Sequence, residues 1–124
     1  MSLPANTPSA THTILHVGAK RGEQIEKFRA MGARRIVLIE PDPDFSADLQ
    51  RQTAGDAMIT VVAAALAAQN GQTLLNVMNL PDLSSLHRPT PALLALFPGL
   101  RVTAQRDVLS LSPAQLLQDL GEVG

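Results

Sequence analysis

"RRIVLIE", Arg34 to Glu40, is the stretch that restricts the fold most. Its apolar residues run continuously instead of alternating, so a strand built from them has to be covered on both faces, as the inner strands of parallel sheets are. The flanking pattern agrees. Upstream, "ILHVGAKRGEQIEKF" gives a β-branched, apolar strand over Thr13 to Val17, a turn from Gly18 to Gly22, and then Ile25, Phe28 and Met31 at helical spacing, with Gly32 placed as a left-handed C-cap. Downstream, "PDPDF" starts a second helix, with Asp42 as N-cap, Pro43 at the first helical position and Asp44 in the first turn, where negative charge suits the helix dipole. Phe45 and Leu49 mark its buried side and Gly55 stops it. "AMITVV", Ala57 to Val62, is the third strand. The order βαβαβ predicts a parallel sheet with right-handed crossovers.

Beyond Val62 the pattern changes. Asn70-Gly71 between two apolar runs is a strong hairpin signal, so Ala65 to Ala68 and Thr73 to Val77 are expected to pair antiparallel. Pro81, Pro89, Pro91 and Pro98 mark a loop region with a short helical turn at Ala92 to Leu96. "LRVTAQRDV", Leu100 to Val108, alternates like a strand, and Ser112-Pro113 caps a last helix through Leu116, Leu117 and Leu120 to Gly121. Residues 1–12 lack the basic-then-apolar layout of a signal peptide and are expected as a loose leader, which leaves 13–124 as a single domain.

Composition narrows the function classes. Ten Lys and Arg against eleven Asp and Glu give a net charge of −1, so no overall field draws the chain to nucleic acid or anionic lipid. No apolar run is long enough to span a bilayer, so no membrane partner is expected. The absence of cysteine removes disulfides, thiolate zinc sites and thiol nucleophiles, fits a cytoplasmic protein, and leaves three scattered histidines that make no metal site. Aromatic residues are only 2% of the chain, so Leu, Val, Ile and Ala must build the core.

The Gly18–Gly22 turn joins the carboxyl end of a strand to the amino end of a helix, a place where free backbone N–H groups face whatever lies above the sheet. Glu40 follows about twenty residues later, at the end of the second strand, where a carboxylate can accept both hydroxyls of a ribose. Each feature also has a purely structural reading: two glycines in a tight connection, and an acid that is solvated or caps the next helix. A dinucleotide fingerprint needs a glycine where Lys20 stands, which argues against a nicotinamide site. A phosphate-binding loop would continue Gly-Lys-Ser/Thr, but Gly22 is followed by Glu23. A ligand with ribose and adenine and no phosphate, S-adenosylmethionine, fits this turn better.

"HVGAKRGEQIEKF", "GARRIVLIEPDP", "VVAAALAAQNGQTLLNV", the Ser84-Ser85-Leu86 triplet and "RVTAQRDVLSLSPAQLL" together resemble the FkbM-type family of S-adenosylmethionine-dependent methyltransferases over about residues 13 to 120. The resemblance implies the class I methyltransferase fold and methyl transfer to hydroxyl groups of sugars or natural products. It implies that Gly18, Ala19 and Gly22 line the methionine side of the cofactor, that Glu40 holds the ribose, and that Pro41 and Asp42 lie beside the adenine. The position before Val17, usually acidic in this fold, is His16; it either reaches the cofactor's amino group through water or is a packed strand histidine.

In the family, the helix matching Ser112 to Leu120 leads into a strand with an acidic motif, whereas this sequence closes at Glu122-Val123-Gly124. The expected fold is therefore α/β: a partial doubly wound, Rossmann-like, mostly parallel sheet with a β-hairpin, lacking the C-terminal strands of a full class I methyltransferase. Its first strand would lie at an open edge, covered by another chain, by the 100–108 strand or by a rearranged dimer, so a homo-oligomer or a longer chain is expected. No catalytic residue is assigned. His87 and Asp107 are candidate bases, with the alternatives of a solvated loop histidine and a strand-end acid; Ser84 and Ser85 are candidate substrate contacts or a simple loop turn. Two functions stay open: the cofactor-binding half of a methyltransferase with a small hydroxyl acceptor, or a non-catalytic remnant serving as a scaffold or dimerisation module.

Overall fold

The computed structural model describes residues 12–80 and 84–121. β1 (Thr13–Val17), α1 (Ile25–Ala30), β2 (Arg35–Ile39), α2 (Pro43–Gln52) and β3 (Ile59–Val62) follow in order, and the three strands form a parallel sheet in the order β1-β2-β3. β2 is the middle strand, and its apolar run is buried on both faces. Ile36 and Leu38 pack with Ile25 of α1, Leu49 of α2, Ala19, Ala33 and Ile59; Val37 and Ile39 point the other way and pack against Leu116. The local signals act as expected. Asp42 accepts a hydrogen bond from the Asp44 N–H at 2.9 Å, Pro43 opens α2, and Gly32 sits at φ 84° just past the end of α1. His12, assigned to the leader, is tied to this sheet, because its carbonyl accepts from the N–H of Arg34 at 2.8 Å; residues 1–11 and 122–124 lie outside the described residues.

β4 (Ala65–Leu66), β5 (Gly71–Met78), α3 (Pro91–Leu96), β6 (Val102–Leu111) and α4 (Pro113–Leu120) complete the order. β6 runs three residues past the expected end at Val108. The expected hairpin between the strands around Asn70-Gly71 does not form: the second sheet has the order β4-β6-β5, parallel between β4 and β6 and antiparallel between β5 and β6. Ser110 of β6 sits opposite both Ala65 and Gly71, holding the two arms apart. The Ser110 hydroxyl donates to the Gln69 carbonyl at 2.9 Å, and Asn70 Oδ1 accepts from the Ser112 N–H at 2.8 Å. The turn signal is thus used to wrap the end of β6 instead of closing a two-residue loop.

β6 pairs with β5 along its length and with β4 at Ser110 and Leu111, and it does not pair with β1. Among the described residues β1 pairs only with β2, and Leu15 and Val17 on its outer face are 40% and 54% exposed. No helix among the described residues is long and apolar enough to cross a membrane.

One ion pair locks α1 to the turn before β3. Arg29 Nη2 donates to Asp56 Oδ2 at 2.6 Å, and the Met58 N–H donates to Asp56 Oδ1 at 3.1 Å. These bonds, the arginine first, hold the Asp56 carboxyl below its ordinary range. A depressed folded-state value means a contribution present above the unfolded-state value and lost as the pH falls through the folded one. Asp56→Asn is accordingly expected to flatten the acid side of the stability profile, read by urea unfolding at neutral pH and near pH ~3. A variant that loses as much stability in acid as the parent would show that Asp56 takes no part in the acid loss.

Candidate functional site

The turn after β1 is built around one buried carboxylate. Gly18 N–H and Ala19 N–H both donate to the Ile39 carbonyl, at 2.8 and 3.2 Å, which seats the turn on the end of β2. Glu40, the next residue of β2's chain, is only 1% exposed. Its Oε1 accepts from the Lys20 N–H at 2.8 Å and its Oε2 from the Asp42 N–H at 2.9 Å. Lys20 sits at φ 55°, a left-handed conformation that strains a residue with a side chain, and the bond to Glu40 offsets that strain. A carboxylate has about four acceptor positions, so two backbone donors leave lone pairs over on each oxygen, covered in this structure at 1% exposure.

α2 clamps the turn from the other side. Gln52 donates to the Arg21 carbonyl at 2.9 Å, and the Arg21 guanidinium lies 5.0 Å from the centre of the Phe45 ring. At the start of α2, Arg106 from β6 reaches Asp44 at 3.1 Å and stands 4.0 Å from Asp42, joining the second sheet to the loop that follows Glu40.

A shallow cavity of about 180 Å³ opens over the carboxyl ends of the strands, walled by Val17, Gly18, Lys20, Pro41, Ala64, Leu66, Leu75 and the segment Ser84 to Leu86. Sites for whole drug-sized ligands are roughly 300–1,000 Å³, so this space suits part of one. The Ser84–Leu86 segment is pinned there by β5. Asn76 N–H donates to the Ser85 carbonyl at 2.7 Å, Ser85 N–H returns the bond at 3.0 Å, and Met78 N–H donates to Ser84 Oγ at 3.2 Å.

The residues expected from the sequence divide by position. Gly18, Pro41, Ser84 and Ser85 meet at the cavity, and a Cβ added to Gly18 would touch nothing within 4 Å. Glu40 lies beneath the turn, and Asp42 is buried as the cap of α2. Ala19 and Gly22 face the core: Ala19 belongs to the cluster with Ile36 and Leu38, and a Cβ on Gly22 would sit 2.8 Å from Ile25 Cδ1. His16 packs with its ring edge-on to Phe28 at 5.2 Å, and its Nδ1 is buried with no protein partner among the described residues, so both of its readings stand. His87 is exposed and Asp107 lies exposed within β6 opposite Leu74, not at a strand end; neither is among the described residues that wall the cavity.

Sequence reasoning passed over the Lys20 side chain and the apolar wall of Leu66 and Leu75. A lysine in a turn bracketed by Gly18 and Gly22 was a signal for the first, whereas the second depends on a sheet order that no local pattern encodes. Among the described residues no group of three or more metal-ligating side chains occurs. Comparison with family models, with curated proteins and with solved structures returned no match.

Proposed function

We propose that residues 13–121 are the cofactor-binding half of an S-adenosylmethionine-dependent methyltransferase of the FkbM type, acting on a hydroxyl of a sugar or natural product. The observation that carries this reading is Glu40: an acid at the carboxyl end of β2, hydrogen-bonded to the turn after β1 and next to Pro41 on the cavity wall. Glu40 is 1% exposed beneath the turn, so on binding the turn would have to open for its remaining lone pairs to accept the ribose hydroxyls; the open space above Gly18 admits a ligand against the backbone. The cofactor, when bound, supplies an electrophilic methyl group on a sulfonium; the chain's own task is to bind and orient it. Methyl transfer further needs an acceptor oxygen about 3–3.5 Å from that carbon, and no described residue is assigned to hold it. A cytoplasmic location and assembly as a homo-oligomer, or within a longer chain, belong to the same proposal.

A second reading, a non-catalytic scaffold or dimerisation module, is favoured by the open edge of β1 with its exposed Leu15 and Val17. Calorimetry separates the two. Titration of S-adenosylhomocysteine into the chain is expected to give saturable heat, with NADH as a silent control. No heat from S-adenosylhomocysteine would leave the scaffold reading in place of the first.

A further inference from the structure

Lys20 is the only charged residue among the described ones that wall the cavity, and no described carboxylate pairs with its ammonium. Its root is fixed, because the left-handed backbone at φ 55° is held by the N–H bond to Glu40. Ser84 and Ser85 share the same wall. Both hydroxyl oxygens already accept a backbone N–H, from Met78 at 3.2 Å and from His87 at 3.1 Å, so each keeps its own O–H proton to donate. The polar side chains on this wall are thus an ammonium and two hydroxyl donors, while Val17, Pro41, Leu66 and Leu75 are apolar. Such a surface takes a ligand with an apolar stem and an anionic end.

We infer that Lys20, with Ser84 and Ser85, forms a carboxylate subsite that recognises the amino-acid end of the ligand. This rests on the cofactor reading above, in which that end is the methionine carboxylate. An ammonium facing a carboxylate forms a charge-assisted hydrogen bond, and its loss in a partly buried site is expected to weaken binding by about tenfold or more.

The test compares two ligands that share an adenosine thioether and differ in the carboxylate. The full chain and its Lys20→Met variant are titrated with S-adenosylhomocysteine and with 5′-methylthioadenosine, which lacks the amino-acid group. Lys20→Met keeps the unbranched stem, and far-ultraviolet circular dichroism checks that it folds. The expected result is a loss of about tenfold or more for S-adenosylhomocysteine, no change for 5′-methylthioadenosine, and recovery in Lys20→Arg. Equal losses for both ligands, or no loss for either, would overturn the subsite and leave the cofactor reading standing. A parent chain that binds neither ligand would overturn both.

Discussion

Gly22→Ala is expected to lower folding stability by about 2–4 kcal/mol, and Gly18→Ala by only about 1–2 kcal/mol. The two glycines bracket the same turn at nearly the same backbone angle, φ 78° at Gly18 and φ 76° at Gly22, so the strain of placing an L-residue there is common to both. Their surroundings differ. A Cβ at position 22 would lie 2.8 Å from Ile25 Cδ1 and 3.0 Å from Leu49 Cδ2. Leu49 is wholly buried and Ile25 nearly so, within the cluster that covers one face of β2, and neither can withdraw without opening that core. At position 18 the same atom meets nothing within 4 Å. Urea unfolding of the two variants measures the difference directly; equal losses would show that packing behind Gly22 is looser than these distances imply.

The contrast shows why part of this structure was legible in the sequence and part was not. The first sheet is announced locally: the continuous run Ile36 to Ile39, the Asp42-Pro43 start of α2, and the helical spacing of Ile25 and Phe28 each encode their own conformation within a few residues. The second sheet is not. Asn70-Gly71 signals a chain reversal correctly, but whether the two arms touch or admit a third strand depends on Ser110, far along the chain, and on the preference of the Asn70 side chain for the Ser112 N–H. The same division holds at the site. The spacing from Gly18 to Glu40 shows that a turn and an acid will meet, because the crossover geometry demands it. That Ala19 and Gly22 lie against the core while Lys20 lies on the cavity wall is decided by α2 packing behind the turn, which no short motif records.

Glu40→Gln is expected to cost about 2–4 kcal/mol of stability and to abolish binding of S-adenosylhomocysteine. An isosteric amide keeps one oxygen for one of the two backbone donors and turns an N–H₂ group toward the other, so either the Lys20 N–H or the Asp42 N–H loses its acceptor in a site that is 1% exposed. The loss at Lys20 has a further effect, since its left-handed backbone then rests on the Gly22 N–H bond to the Ala19 carbonyl at 3.0 Å that closes the turn around it. Amide hydrogen exchange gives a readout specific to this mechanism: protection at Lys20 and Asp42 should fall by more than the global change in stability accounts for. If protection at both amides survives and only ligand binding is lost, Glu40 acts on the ligand alone and the turn is held by its bonds to Ile39. If stability falls and S-adenosylhomocysteine still binds with unchanged affinity, the carboxylate is a structural brace, and the ribose contact on which the proposed function rests is withdrawn.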